Sequence, residues 1–515
     1  MENECNSKLL QALKDPNDFT LTFELVPGPG GRTRKHSRIV NLAKEIAADG
    51  RFSALSITEN AGGHPALSPE VLGTEIRSMD LEVIIHLSCK DKNRNQMESL
   101  LFGWDRQNIC NLLVIAGDYP KKGYRGHPKP VFDLDTVQAL EMLSAMNRGL
   151  ALPESNMADT VLQSTSFLKG VAISPFKFLE AELVMQYFKL HRKIAAGADF
   201  VITQIGYDAR KFHELLLYMK LNNLNVPALG NVFVPNLAVT ELMYQEQVPG
   251  CVITEALYSQ IRKEAKSEDK GKEARLVRAA KLLAVLKGLG YAGAHIGGPN
   301  LSFSDLDFML HTAKEIGKNW RSCLDDLSFW PEKAFWYFEK DTDSGLNLEI
   351  PGERVDKNAG LNLGYIVSHT FHKQAFTPGG VLYQPMKKIS LSLDRGSRCG
   401  GLCRLEHTIK AACFGCQNCG DCTLAELAYL CPQSGCAKYL LNGPCGGSRD
   451  GWCEVYPGTK RCLFVKVYER LKAVKLAETM KEGFVPPRDW SLHNTSSWTN
   501  FFAGRDHTRR RREED

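Results

Sequence analysis

The sequence contains no uninterrupted apolar run of about 18 residues, the length a helix needs to cross a bilayer, so no membrane span is expected. Its opening residues, Met1-Glu-Asn-Glu-Cys5, have neither the basic nor the apolar region of a secretory signal, and a cytoplasmic location is the expectation. Neither sign of charge dominates. The net charge of +5 over 515 residues is too small to argue for a nucleic-acid partner, and much of it comes from residues 505–512, read as a solvated, disordered tail. No Gly-x-Gly-x-x-Gly follows the first strand, and proline inside Pro27-Gly-Pro-Gly-Gly31 argues against a dinucleotide fingerprint there. Cysteine is sparse through most of the chain: Cys5, Cys89, Cys110, Cys251 and Cys323 are scattered, whereas the other 11 of 16 fall between Cys399 and Cys462.

What is present is an ordinary globular composition, 43% hydrophobic and 24% charged, with enough length for at least one large core. Short apolar runs alternate with longer amphipathic ones from residue 19 to about 312. Strands are predicted over 19–26, 52–58, 82–88, 111–116, 170–174, 199–205, 226–232 and 290–296, with helices over 37–48, 180–196, 209–221 and 273–289 between them. Eight strand–helix steps in roughly 300 residues point to α/β architecture, a (β/α)8 TIM-type barrel, followed by a smaller cysteine-rich metal-binding domain. The organisation read from these shifts is a barrel over 1–318, a connecting segment over 319–388, a cysteine-rich domain over 389–485 and a tail over 486–515. Trp320, Trp330, Trp336 and Tyr337 in the connecting segment are expected to pack between barrel and cysteine domain.

A barrel of this kind builds its site at the C-terminal strand ends. Those ends carry Glu24, Thr58-Glu59-Asn60, His86-Leu-Ser-Cys89, Gly117-Asp118, Ser174, Thr203-Gln204 and His295. Each alone has an ordinary reading as a cap, a turn residue or a core histidine. Their coincidence at equivalent positions argues for a functional site. A carboxylate two residues before the end of an apolar strand, as Glu24 is, costs free energy unless it is paired or used, and burial is expected to raise its pKa.

Thr22-Phe-Glu24, Ser56-Ile-Thr58, His86-Leu-Ser-Cys89, Ala116-Gly-Asp118, Arg192-Lys-x-x-Ala-Gly-Ala-Asp199 and Ile202-Thr-Gln204 occur in an order and spacing that resembles the methylenetetrahydrofolate reductase family. The resemblance covers about residues 19–313. It implies a flavin-dependent barrel that reduces 5,10-methylenetetrahydrofolate to the 5-methyl form in one-carbon metabolism, on the way to methionine, with NAD(P)H or a protein as electron donor. By the same resemblance Glu24 is the general acid toward N10. Asp118 is the carboxylate near flavin and pterin, Thr58, His86 and Ser174 are flavin contacts, and Arg192 and Lys193 lie near the flavin phosphates. Gln204 and His295 are expected at the substrate. Two departures stand out: Ser174-Pro-Phe-Lys-Phe178 replaces a Tyr-Pro-Glu-x-His pattern, and Gly297 stands where an aromatic residue is frequent. They leave FAD or the shorter FMN open, along with the direct reductant and a homo-oligomeric state.

The cysteine domain centres on Cys413-Phe-Gly-Cys416-Gln-Asn-Cys419-Gly-Asp-Cys422, with Cys431, Cys436, Cys445, Cys453 and Cys462 downstream. Four thiols in ten residues, with glycines that let the backbone turn toward sulfur, suit a compact cluster such as [4Fe–4S]. A structural zinc site is the alternative, and disulfides are disfavoured in a reducing compartment. The stretch resembles the small cysteine-rich partner of acetogen-type methylenetetrahydrofolate reductases, which is associated with iron–sulfur clusters, with zinc also open. Cys413, Cys416, Cys419, Cys422, Cys431, Cys436 and Cys445 are the expected ligands, with their grouping unassigned. His369 and His372 read as core or surface residues before metal ligands. The rival to a reductase is a folate-binding, methyl-transfer or docking protein with a structural zinc domain.

Overall fold

The computed structural model describes residues 7–151, 161–352, 362–394 and 400–509. The chain opens with helix α1 (Lys8–Lys14) and then alternates β1 (Thr20–Leu25), α2 (Arg34–Asp49), β2 (Ala54–Ile57), α3 (Pro69–Arg77), β3 (Glu82–Ser88), α4 (Arg94–Arg106), β4 (Asn111–Ile115) and α5 (Thr136–Arg148). It continues with β5 (Leu168–Ile173), α6 (Glu180–Ala195), β6 (Phe200–Thr203), α7 (Ala209–Leu221), β7 (Ala228–Phe233), α8 (Leu237–Tyr244), α9 (Glu255–Glu264), α10 (Lys272–Leu289), β8 (Gly293–Gly297) and α11 (Phe303–Ile316). The eight strands close into one parallel barrel in sequence order. All eight predicted strands fall on these elements, and β1 pairs with β8 in the register Thr22↔His295.

The N-terminal mouth of the barrel is stoppered. Leu9 and Leu13 of α1 cluster with Ala54, Ile84, Leu113, Leu168, Phe200, Ile202 and Leu229, a layer of inward-facing strand residues. Glu82 fixes the stopper by accepting from the Lys8 and Leu9 backbone amides at 2.6 and 3.1 Å, a carboxylate at a helix N-terminus where its charge is favoured. With that end filled, only the C-terminal mouth is left for a ligand.

After α11 the chain stays on the barrel. Asp208 caps α7 through the Lys211 amide and also accepts from the Phe329 and Trp330 amides at 2.9 and 2.7 Å. Trp330 stacks on Phe178 at 4.6 Å, and the Lys211–Glu214 pair is fully buried between α7 and this segment. Trp320, Trp330 and Trp336 thus pack on the barrel, and of the four aromatics expected between the two parts only Tyr337 also lies against the cluster that α6 shares with the cysteine domain. Within the connecting segment β9 (Phe338–Lys340) pairs with β10 (Asn347–Pro351), and residues 353–361 lie outside the described residues.

Helices α12 (Leu363–Ala375) and α13 (Tyr383–Ser392) lead into the cysteine domain, which holds α14 (Gly401–Phe414), α15 (Pro432–Gly435), the ribbon β11 (Trp452–Cys453)–β12 (Tyr456–Arg461) and α16 (Leu463–Ala473), and α17 (Ser497–Phe502) follows in the tail. The cysteine domain docks on α5 and α6. Ala181, Val184, Met185 and Phe188 of α6 share one apolar cluster with Leu440, Leu441, Leu463, Phe464 and Val467. Asp135, the capping-box residue of α5, also accepts from the Leu441 and Asn442 amides at 3.0 and 2.7 Å, so one buried carboxylate serves a helix cap and the domain joint.

The tail differs from expectation. His507 is buried, with Nδ1 2.6 Å from Asp421 and Nε2 3.0 Å from Glu426, and Arg505 pairs with Asp394 at 2.7 Å. Two carboxylates recruit the imidazole, and the chain through Arg509 is thereby tied to the body; residues 510–515 lie outside the described residues. His369 and His372 sit in an aromatic group with Tyr365, Phe376 and Tyr429.

Candidate active site

Glu24, His295 and His86 come together at the C-terminal mouth. The register places Glu24 beside Ser56 on one side, and its carboxyl stands 3.6 Å from His295 Nε2. His295 is buried and its Nδ1 lies 2.8 Å from Thr22 Oγ1. His86 Nε2 lies 2.8 Å from Ser56 Oγ. Burial pushes His86 down to about 4, with Glu24 opposing and His295 assisting, so it is neutral near pH 7. The Glu24 carboxyl goes the other way from the sequence-based expectation. Burial does raise its pKa, but the hydrogen bond and charge of His295, with a smaller contribution from His86, outweigh burial and hold it below the ordinary value. The sequence showed the apolar strand and not the imidazole that β8 brings alongside.

Asp118 follows β4 and accepts from the Gly62 amide of the β2 loop at 2.7 Å. The turn before it needs glycine: Gly117 has φ +82°, and a Cβ there would meet Ser88 Oγ at 2.1 Å. Gln204 is held by the Ile205 amide, which donates to its side-chain oxygen at 2.9 Å. Thr58 and Ser174 are buried, and neither Oγ1 of Thr58 nor Oγ of Ser174 has a hydrogen-bond partner in the chain. The same holds for Oδ1 of Asn231, the β7 residue in register with His295. Sequence reasoning missed Asn231, although it lies next to the last residue of a predicted strand, much as Glu24 lies near the end of its own. Buried polar atoms without partners are uncommon, and a set of them at one barrel mouth marks where a ligand's polar groups fit.

Arg192 and Lys193 are not part of this mouth. Lys193 is buried and donates to Ala172 O at 2.6 Å, and burial holds its pKa well below the ordinary value, reinforced by Lys189. Arg192 donates to Glu482 O at 2.8 Å. The cysteine domain accounts for much of this. Its Gly443–Gly447 loop lies over the β5 side of the mouth, with Lys177 donating to Ser448 O at 2.7 Å and Lys189 to Pro444 O at 3.0 Å.

The cysteines form two groups. Cys416, Cys419, Cys422 and Cys431 line one small cavity together with Lys410 and Arg488. Cys436, Cys445, Cys453 and Cys462 line another with Lys438 and Glu454. Backbone amides face the sulfurs: Asn418 N donates to Cys416 at 3.3 Å and Gly447 N to Cys445 at 3.5 Å. Lys410, paired with Glu406 at 2.7 Å, lies 3.5 Å from Cys422 Sγ. Burial raises Cys416 to about 11 and Cys462 to about 12, so each thiol is protonated unless a metal or cation offsets the cost of its charge. Cys413 is exposed and lines a larger cavity between α12 and the domain, which Cys422 and Cys431 also line and none of the barrel-mouth residues does. The expected ligand list is thus split: Cys413 falls outside, and Cys436 and Cys445 join Cys453 and Cys462. Cys399 lies outside the described residues. Among the described residues no three His, Cys, Asp or Glu side chains converge as ligands of one ion.

Fold and site together define a class: a parallel (β/α)8 barrel with an acid–imidazole cluster at its mouth, joined to a cysteine-rich domain. The sequence matches the methylenetetrahydrofolate reductase model over residues 8–298 and the model described as methylene-tetrahydrofolate reductase C terminal over residues 400–491. The chain belongs to the methylenetetrahydrofolate reductase family. It is 25% identical over 185 residues to methylenetetrahydrofolate reductase 2 of Saccharomyces cerevisiae, covering 35% of this chain and 28% of that protein. It is 22% identical over 185 residues to methylenetetrahydrofolate reductase 1 of Schizosaccharomyces pombe, covering 36% and 28%. The match therefore spans little more than a quarter of the length of these curated relatives. Among solved structures, an uncharacterized Clostridium thermocellum protein that binds two copies of 5-methyl-5,6,7,8-tetrahydrofolic acid aligns over 60% of this chain and 99% of its own, at 16% identity and a TM-score of 0.42. No helix among the described residues is long and apolar enough to cross a membrane.

Proposed function

We propose that the protein is a flavin-dependent reductase of 5,10-methylenetetrahydrofolate, with electrons reaching the barrel through the cysteine domain. The observation that carries this reading is the mouth itself. Glu24 is positioned by His295, Asp118 by the Gly62 amide, and the hydroxyls of Thr58 and Ser174 are unpartnered between them. A protein that only bound folate would need no carboxylate aligned by an imidazole.

The residues fit a flavin ring better than a long dinucleotide tail. Thr58, Ser174 and Asn231 offer unpartnered polar atoms at the mouth, whereas the Lys193 ammonium donates to Ala172 O and one terminal guanidinium nitrogen of Arg192 to Glu482 O. This favours the shorter flavin, FMN. A bound reduced flavin supplies a hydride to the methylene carbon. Glu24 gives a proton to N10 as the five-membered ring of the folate opens. In the open mouth the Glu24 side chain is 21% exposed and its carboxyl is held ionised. Ligand rings that exclude this remaining water raise the cost of its charge, which moves the carboxyl toward the protonated form an acid needs. The Asp118 carboxylate would stand near the cationic iminium and stabilise it. His86, neutral, holds its place through Ser56 and adds no competing positive charge.

Two small cavities, each lined by four cysteines, support metal-bound thiolates in this domain, and the glycine-spaced Cys413–Cys422 run suits an iron–sulfur cluster.

The test is an anaerobic purification followed by absorption spectroscopy, flavin extraction and metal analysis, then mixing of photoreduced protein with methylenetetrahydrofolate. Bound flavin, iron and folate-dependent flavin reoxidation are expected. A colourless, zinc-only protein that binds folate without redox change would establish the rival reading.

A further inference from the structure

One side chain of the cysteine domain ties the second cysteine group to the turn that carries Asp118. Lys438, two residues after Cys436, lines the same small cavity as Cys436, Cys445, Cys453 and Cys462. Its ammonium is buried between the Glu454 carboxylate, which follows Cys453, and the Gly117 carbonyl, to which it donates at 2.7 Å. Gly117 precedes Asp118. The ammonium also sits 5.8 Å from the centre of the Phe132 ring, which stacks on Tyr119 at 6.4 Å. The turn is thus held from three directions: by the Gly62 amide on the Asp118 carboxylate, by packing of Gly117 against Ser88, and by Lys438 from the cysteine domain.

We propose that Lys438 is a positioning residue for the barrel chemistry, fixing the Gly117–Asp118 turn from the cysteine domain so that the second cysteine group and the folate-facing carboxylate form one unit. The inference rests on the role read for Asp118 above. One contact and its placement in the chain support it over a purely structural ion pair. A Lys–Glu pair needs no barrel carbonyl, yet this ammonium spends a hydrogen bond on the one that precedes Asp118. Its position relative to Cys436 and that of Glu454 relative to Cys453 place both partners within two residues of a thiol of the same group. A buried cation with several strong acceptors has one geometry available, so any shift of that cysteine loop is passed to the turn.

The experiment uses the full-length, flavin-loaded protein and four variants: Lys438→Met, Lys438→Arg, Asp118→Asn and the Lys438→Met/Asp118→Asn double. Hydrogen exchange of the peptide carrying Gly117–Tyr119 is measured with metal content and the rates of the two half-reactions. Lys438→Met is expected to speed exchange of that peptide by about tenfold and to slow folate-dependent flavin reoxidation by a similar factor, leaving flavin reduction near the parent rate. Lys438→Arg should recover most of both. In the Asp118→Asn background the Met substitution should slow the reaction no further, since residues acting as one unit are non-additive. Unchanged exchange in Lys438→Met, or slowing that multiplies with Asp118→Asn, overturns the proposal. Should Lys438→Met not fold, Glu454→Gln, which keeps the ammonium but loosens its anchor, is read the same way. If Asp118→Asn alone leaves the folate half-reaction intact, the role of Asp118 falls, while the exchange measurement still decides whether Lys438 holds the turn.

Discussion

His295 Nε2 stands 3.6 Å from the Glu24 carboxyl, joining the last barrel strand to the first. The two residues are 271 positions apart in the chain and become neighbours because β8 and β1 pair, with Thr22 opposite His295. The contact reverses the effect of burial on Glu24. A carboxyl whose folded pKa is lowered adds stability above its unfolded value, near 4.5, and loses it as the pH falls through the lower folded value.

Glu24→Gln keeps the side-chain shape and removes the transferable proton. Folate-dependent flavin reoxidation is expected to fall by ~10²–10⁴, the range for a lost general acid. Flavin reduction by the donor should change little. Stopped-flow measurement of the two half-reactions separates them; an equal loss in both would make Glu24 a structural residue.

His295→Gln removes the imidazole that holds the Glu24 carboxyl down, leaving burial to raise it. The pH limb of the folate half-reaction assigned to Glu24 should therefore move upward by about one unit or more. A limb at its original pH in this variant would show that His295 does not govern the acid.

The two cysteine groups should come apart experimentally. Cys416→Ser with Cys419→Ser is expected to lower iron content by roughly the share of one cluster and to spare the second group, and Cys445→Ser with Cys462→Ser to do the converse. Cys413→Ser should leave the iron content as it was, because that thiol is exposed and lines neither small cavity. Loss of all iron from either double variant would mean a single shared site.

His507 provides a pH test of the C-terminal end. Burial lowers its pKa, but the hydrogen bonds it donates to Asp421 and Glu426 prevail and raise it to about 10 from an ordinary 6.5. A raised histidine contributes stability that is fully present below about pH 6.5 and is lost as the pH rises through about 10. His507→Gln should cost roughly 1–3 kcal/mol at pH 6, as expected for lost hydrogen bonds to charged groups. The difference from the parent should shrink toward pH 10. Thermal unfolding at several pH values measures this, and a difference independent of pH would rule out the charged pair.

What the sequence determined by itself was the periodic part of the molecule. Strand and helix periods, punctuated by glycine and proline, laid out the eight steps of the barrel, and a strand end is readable locally because the apolar run stops there. That is why Glu24, Thr58, His86, Asp118, Ser174 and Gln204 could be assigned to strand ends from the sequence, and why the density of cysteines marked the second domain. The tertiary structure decided what depends on contacts between distant segments. The direction of the Glu24 shift required β8 to close against β1. Arg192 and Lys193 share their helix with residues that dock the cysteine domain, so their contacts could not be read from local pattern. The division of the thiols also lay beyond spacing: Cys431 joins Cys416, while Cys436, only five residues later at the other end of α15, turns toward Cys445, Cys453 and Cys462. Local pattern carries periodicity and turn chemistry, whereas pKa values, ligand grouping and the reach of Lys438 to Gly117 depend on which charges and sulfurs the folded chain brings within a few ångströms.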